Sequence, residues 1–280
     1  MIFAHEIPEG SKLYFGETAR RKRQIEGIAS DVLYDGGFAE IVVPLFSYHQ
    51  HQSVSDAKEL IRMGDAANHE MSLRADTTID VVRIISKRLG RNTEHRKWFY
   101  IQPVYRYPSH EQYQVGAEVI GEADLATALH SAVEIFGRLD VTPLLQLSNI
   151  NIPRRLSEML DIPLDDFRHI RIEKLLALDI DWLKALVYLH DVSDIDAVMA
   201  AVPDAIREEL RKIKELAEAV PYARTAVAPL YYAKMLYYDE LYFRMIEGNE
   251  VYARGGRYEN EGVTSVGFAL YTDALLEAGI

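Results

Sequence analysis

Two blocks rich in β-branched and aromatic residues, one ending near Ser148 and one beginning after Arg224, flank a run of different texture. From Pro153 to about Tyr222, Leu, Ala, Asp, Glu, Lys and Arg dominate and apolar/polar alternation disappears. Strands on both sides of a helical run can share one sheet only if the run is carried as an insertion. This predicts an α+β fold: one antiparallel sheet flanked by helices, formed by residues 1–151 and 224–280, with an inserted helical unit at 152–223. With 280 residues, 49% of them hydrophobic and 26% charged, the chain has apolar material for one large domain or two smaller ones.

Local patterns fill in this outline. Ile25, Ile28, Ala29, Val32 and Leu33 lie on one face of a helix over 17–35, which Gly36-Gly37 stops. A short strand over 38–43 follows, closed by Pro44. Residues 72–89 read as a loop entering a helix with Ile79, Val82, Ile85 and Leu89 on its buried face. Strands at 98–107 and 113–120, joined by Pro108-Ser109-His110-Glu111, form a hairpin. An amphipathic helix over 122–139, with acids in its first turn, precedes a strand at 144–148. In the helical run, Pro203 opens a helix with Ile206, Leu210, Ile213 and Leu216 on one face and a Glu208–Lys212 surface pair. Gly248-Asn249 turns a second hairpin between strands at 241–246 and 250–253. Gly255-Gly256 and the stretch from Gly262 to Gly267 break the chain before a last helix over 269–278.

Composition excludes several chemistries. Lys and Arg number 31 against 43 Asp and Glu, a net charge of −12, the wrong sign for non-specific binding of nucleic acid. With no cysteine, disulfides, thiolate metal sites and cysteine nucleophiles are excluded. The N-terminus lacks the basic and apolar regions of a signal peptide, and no stretch has the apolar length of a membrane span, so a cytoplasmic protein without a membrane partner is expected.

The strand 113–120 carries the most chemistry. Period two places Gln114, Gly116 and Glu118 on one face and Tyr113, Val115, Ala117 and Val119 on the other. An amide and a carboxylate flanking a missing side chain can hold a ligand ammonium group, and Arg106 on the preceding strand can pair with a carboxylate. The same pattern also describes the solvated face of an edge hairpin. Asp76, Thr77 and Thr78 supply a further acid and two hydroxyls before a helix, where such residues commonly cap. Arg254-Gly255-Gly256-Arg257 brackets two glycines with arginines but lacks a full phosphate-loop pattern. The tyrosines from Tyr231 to Tyr242 suit either a pocket lining or a core. His49 and His51 have no third metal ligand close in sequence, and no Gly-x-Ser-x-Gly elbow is present.

In this order the pieces resemble the catalytic core of histidyl-tRNA synthetase, a class II aminoacyl-tRNA synthetase, over most of the chain outside the helical run. Gly37-Phe38-Ala39-Glu40-Ile41-Val42-Val43-Pro44 is similar to motif 1, at that family's dimer interface. Leu73-Arg74-Ala75-Asp76-Thr77-Thr78 resembles the Leu-Arg-Pro-Glu-x-Thr segment that holds the histidine amino group. Tyr105-Arg106-Tyr107 with Gln114-x-Gly-x-Glu118 resembles motif 2 and the histidine-binding strand, while Tyr237-Tyr238 and Gly255-Gly256-Arg257-Tyr258 resemble the elements that contact the imidazole. The resemblance therefore favours a site over a solvated face. It implies that Arg106 binds the carboxylate of L-histidine, that Asp76, Thr78, Gln114 and Glu118 bind its ammonium group, and that Tyr238 and Tyr258 bind its imidazole. No cofactor and no metal are implied.

The departures concern cations. Pro108 stands where motif 2 has Glu, and the loop is short; Ala274 replaces the ATP-gripping arginine of motif 3; and the family's catalytic arginine falls at Ala233, beside Lys234. Losing one pre-placed donor of this kind costs on the order of 3 kcal/mol of transition-state stabilisation, so adenylation is not expected. Only a few residues follow the motif 3-like segment, so an anticodon-binding module is not expected. The chain thus resembles a histidine-binding paralogue, most similar to the ATP phosphoribosyltransferase regulatory subunits, which serve the first step of histidine biosynthesis. That likeness implies a non-catalytic dimer, formed through the motif 1 region, that partners a short-form catalytic subunit and takes part in histidine feedback. The alternatives are an adenylating enzyme acting on a non-tRNA acceptor and a scaffold with a relic pocket.

Overall fold

The two β-rich blocks meet in one sheet. The computed structural model describes residues 6–52, 54, 56–90, 93–233, 237–260 and 262–280. Its main sheet contains β1 (Ala39–Glu40), β5 (Lys97–Arg106), β6 (His110–Ile120), β7 (Leu144–Asn149), β8 (Thr225–Val227), β9 (Tyr238–Glu247), β10 (Glu250–Asn260) and β11 (Val263–Tyr271), in the spatial order β1-β5-β6-β11-β10-β9-β7-β8. The six central strands pair antiparallel, and the short edge strands β1 and β8 pair in parallel. β2 (Phe46–Ser47), β3 (Arg62–Gly64) and β4 (Glu70–Leu73) form a small antiparallel sheet beside it.

Helices cover the sheet with the faces their spacing predicts. α1 (Gly16–Asp35) buries Ile25, Ala29, Val32 and Leu33, and Gly37 closes it at φ +77°. α2 (Thr78–Ile84) buries Ile79 and Val82 and runs into a π-helical turn over Ile85–Leu89. α3 (Ala126–Arg138) starts later than its acids suggest: Glu122 and Asp124 lie in the preceding turn, where they accept bonds from the amides of Ala123, Asp124 and Ala126. α10 (Thr272–Glu277) follows β11 directly.

The stretch between β7 and β8 is helical: α4 (Asn151–Leu160), α5 (Leu164–Arg168), α6 (Ile172–Leu176), α7 (Asp181–Val187), α8 (Ile195–Ala201) and α9 (Asp204–Ala219). Leu156, Leu183, Ile206 and Leu210 belong to the same apolar cluster as Leu145 and Leu147 of β7 and Phe243 of β9. Burying a side chain of this size contributes about 1.5–3 kcal/mol, so the helices and the sheet stabilise one another. Glu209, fully buried on α9, accepts bonds from Arg155 of α4 at 2.7 Å and from Asn149 of β7 at 2.9 Å.

Other local expectations change as well: the last helix begins at Thr272 and not at 269, because residues 269–271 belong to β11. The strand over 38–43 shrinks to Ala39–Glu40, because beyond Ile41 the ladder is replaced by side chains. The Gln102 amide takes both the N–H and the C=O of Val43, and Arg74 donates to the carbonyls of Val43 and Pro44. Glu208 pairs with Arg211 rather than Lys212, whose ammonium sits 2.6 Å from Glu240 on β9 and 3.1 Å from Glu209. Gly255, Gly256 and Gly267 lie within β10 and β11 instead of breaking the chain. A Cβ at Gly255 would stand 2.4 Å from the Gly267 carbonyl oxygen, so close strand approach, not a turn, requires glycine here.

Candidate functional site

The face of β6 that carries Gln114, Gly116 and Glu118 points inward: Glu118 is 1% exposed and Gln114 7%. A solvated outer face is therefore excluded. In register, Gln114, Gly116 and Glu118 stand opposite Tyr271, Ala269 and Gly267 of β11, while Ala269 and Gly267 stand opposite Arg254 and Gly256 of β10. Glycine recurs on this face, and each glycine makes room for one neighbour. A Cβ at Gly116 would meet the Tyr100 ring at 2.1 Å, one at Gly267 the Glu118 carboxylate at 1.8 Å, and one at Gly256 the Tyr238 ring at 2.7 Å. The missing side chains form a trench along which Tyr100, Glu118 and Tyr238 lie.

The segment 73–78 covers this trench and is held by two buried polar side chains. Arg74, 2% exposed, donates to the carbonyls of Pro103 at 2.8 Å, Pro44 at 2.9 Å and Val43 at 3.1 Å. Gln50 accepts from the amides of Ala75 at 2.8 Å and Asp76 at 2.7 Å and donates to the Asp76 carbonyl at 2.9 Å. Thus fixed, the segment aims Asp76 and Thr78 at β6.

The carboxyl groups meet a ring of hydroxyls. Thr78 and Tyr258 each donate to Glu118 at 2.7 Å, Tyr100 lies 3.4 Å from it, and Tyr237 donates to Asp76 at 3.1 Å. Gln114 donates to Thr77 at 3.2 Å. Burial pushes the Glu118 carboxyl up to about 8 despite the Tyr258 and Thr78 hydroxyls, and burial raises Asp76 as well, although the Ile79 amide opposes it. The same burial holds the Tyr100, Tyr237 and Tyr258 phenols far above their ordinary range, so they act as neutral donors. Inside this ring only about 20 Å³ is open, the volume of roughly one water. A wider chamber of about 520 Å³ adjoins it, with Arg254 and Tyr271 lining both.

Asp76, Thr78, Gln114, Glu118, Tyr238 and Tyr258 all line the inner cavity together. Arg106 does not: it lines the outer chamber, with its guanidinium paired to Glu59 and 3.4 Å from the Ala75 carbonyl. Tyr100, Arg254 and Tyr271 also line the inner cavity, without a role from the sequence, and so does Tyr237, the neighbour of Tyr238 in the imidazole element. Hairpin register would have found Tyr100, which pairs with Gly116. Period two would have put Arg254 on the face of Gly256, had the glycines not suggested a loop. Ala233 is buried, Ala274 lines the outer chamber, and Lys234 lies outside the described residues. The His49 and His51 rings are 6.4 Å apart, and among the described residues no three His, Cys, Asp or Glu side chains converge as metal ligands. Acids at one end, an arginine at the other and phenols between them suit the binding of a small zwitterion with a polar ring.

Residues 14–275 match the histidyl-tRNA synthetase family. The ATP phosphoribosyltransferase regulatory subunit of Wolinella succinogenes is 49% identical over 277 residues, covering 99% of this chain and 96% of that protein. The protein so named from Helicobacter hepaticus is 39% identical over 277 residues and 99% of each chain. A histidine–tRNA ligase of Saccharolobus islandicus is 25% identical over 231 residues, 76% of this chain but 54% of the ligase. Among solved structures, a Bacillus halodurans protein described as an ATP phosphoribosyltransferase regulatory subunit/histidyl-tRNA synthetase superposes with a TM-score of 0.85 at 18% identity, covering 99% of this chain and 84% of its own. A histidine–tRNA ligase subunit from Alicyclobacillus acidocaldarius gives 0.80 at 23% identity, covering 100% and 99%. The fold is that of the class II synthetase core.

Proposed function

The chain belongs to the histidyl-tRNA synthetase family and, within it, to the ATP phosphoribosyltransferase regulatory subunits, and on that premise we propose that it binds L-histidine in the cavity around Glu118 and conveys histidine feedback to a short-form catalytic subunit. It is a regulatory subunit of histidine biosynthesis and not itself the catalyst. The observation that carries the ligand assignment is the pairing of Asp76 and Glu118 with phenols in one closed cavity. An ammonium group can replace hydroxyl donors at both carboxylates, and an imidazole can bond the phenols of Tyr238 and Tyr258.

Physical chemistry supports a binding role over adenylation. Alanine at 233 and 274 provides no cation for a triphosphate or a developing acyl-phosphate. The small inner cavity supports coupling: a histidine must part the side chains that now bond one another, so its bound form favours a conformation different from this one. Dimerisation through the motif 1 region is supported by exposed apolar side chains in it and just after it: Val42, then Leu45, Phe46 and Tyr48. The net charge of −12 argues against nucleic acid as a partner. Among the described residues no helix is long and apolar enough to cross a membrane, and a biosynthetic role suits the cytoplasm.

Reconstitution with a short catalytic subunit tests the proposal. Phosphoribosyl transfer is expected only when both chains are present and is expected to fall as L-histidine is added. Glu118→Gln and Tyr238→Phe should raise the inhibitory histidine concentration at least roughly tenfold, the value of one lost charge-assisted bond. Inhibition untouched by both changes would make the cavity a relic on a scaffold. Robust histidine-dependent ATP–pyrophosphate exchange would instead show an adenylating enzyme.

A further inference from the structure

We propose that Arg254, and not Arg106, is the cation that recognises the ligand's carboxylate and so makes a free carboxylate a condition of binding. This rests on the reading of the inner cavity as an amino-acid site. Arg254 stands on β10 two residues before Gly256 and four before Tyr258, on the strand face that forms the cavity. Its cross-strand row runs through Ala269 of β11 and Gly116 of β6 to Tyr100 of β5. Between the backbones of Arg254 and Tyr100, about 14 Å apart at ordinary strand spacing, the row holds only Ala269 and Gly116; the Tyr100 ring fills the space over Gly116, which leaves the stretch over Ala269 as a gap. That gap is where a ligand can lie, with a guanidinium at one end and the Thr78–Glu118–Tyr258 cluster near the other.

The ionic state of Arg254 separates it from its neighbours. Arg106 is engaged with Glu59, Lys12 with Glu277 at 2.7 Å, and Arg257 on the same strand with Asp239 at 2.8 Å. Arg254 has no carboxylate within 4.0 Å among the described residues; its guanidinium lies over the Tyr271 ring, 5.2 Å from the centroid. It nonetheless sits in the cavity that contains Asp76 and Glu118. A half-buried guanidinium held apart from two buried carboxyls leaves a place for a bridging group with both signs: ammonium toward the acids, carboxylate toward Arg254. The planar fork of arginine binds a carboxylate in two parallel bonds, which a neutral amide cannot reproduce.

Calorimetric titration with L-histidine and with L-histidinamide, its neutral-carboxyl analogue, tests this at slightly acidic pH, where both keep an ammonium group. The wild-type chain should prefer histidine by roughly 10- to 100-fold, the range for a charge-assisted bond. Arg254→Gln should abolish the preference, and Arg106→Gln should keep it. A preference that survives Arg254→Gln, or that disappears with Arg106→Gln, overturns the assignment while leaving the amino-acid site standing. Absence of binding by either ligand to the wild-type chain overturns both. If Arg254→Gln does not fold, judged by its melting curve, Arg254→Lys decides: it should weaken histidine about tenfold and leave histidinamide unchanged, and equal weakening of both ligands refutes the assignment.

Discussion

Glu118→Gln should make the folded chain more resistant to alkaline pH, because the wild-type carboxyl is buried in a form that must lose its proton as pH rises. The group titrates near 4.5 in an unfolded chain and is raised to about 8 in the fold by burial. A raised folded value means that the contribution of the protonated group is fully present below about pH 4.5 and is lost as pH climbs through 8. At about 1.4 kcal/mol per pH unit, that interval corresponds to roughly 5 kcal/mol between the two limits. Glutamine has nearly the same shape as the protonated acid and can still accept from Thr78 and bond Tyr258, but does not titrate. Urea unfolding of both chains from pH 5 to pH 9 should therefore give curves that start together and diverge, with the wild type less stable by several kcal/mol at the alkaline end. Parallel curves, agreeing within about 1 kcal/mol throughout, would refute the claim that Glu118 is buried as a protonated acid.

Three further outcomes follow from the same geometry. An ammonium ligand favours the ionised form of Glu118, so histidine binding near neutral pH should release a proton and tighten as pH rises toward 8; calorimetry in buffers of different ionisation heat reads this directly. Gly267→Ala places a methyl group 1.8 Å from the Glu118 carboxylate and 2.7 Å from the Ala117 carbonyl, which should cost about 1–3 kcal/mol in urea unfolding and abolish ligand binding. Glu209→Ala leaves the buried Asn149 amide without its carboxylate acceptor and should lower stability by about 1–3 kcal/mol without changing the ratio of histidine to histidinamide affinity.

Local order was legible wherever one stretch of chain decides the outcome. Ile25, Ala29, Val32 and Leu33, and again Ile206, Leu210, Ile213 and Leu216, bury the faces their spacing marks. Both hairpins form, the second around Gly248-Asn249 and the first around a tighter turn than expected, with His110 and Glu111 already paired in β6. What was not legible depends on partners distant in sequence. Gly255 and Gly256 look like a break until β11 is laid beside them, when the absent side chains become the condition for close approach. Val43 looks like the end of a strand, yet its backbone groups are taken by Gln102 and Arg74. In the site, the period of β6 disclosed Gln114 and Glu118, and the family likeness supplied Asp76, Thr78, Tyr238 and Tyr258. The pairing of Arg106 with Glu59 and the placement of Arg254 opposite Ala269 of β11 exist only in the folded sheet.

The position of β11 also bears on the order in which the molecule can be made. It follows every other strand in the chain, yet it lies between β6 and β10, at the middle of the sheet. During synthesis the hairpins β5–β6 and β9–β10 can each close from local contacts, but both must wait with a bare edge until residues 263–271 arrive to join them. Such late, long-range pairing slows folding and leaves edges open to other chains in the meantime. Gly267 and Ala269 ride on that closing strand, so the step that seals the sheet also builds the floor of the cavity. A ligand that binds the finished cavity will therefore hold the seam shut, and histidine should raise refolding yield as well as the melting temperature.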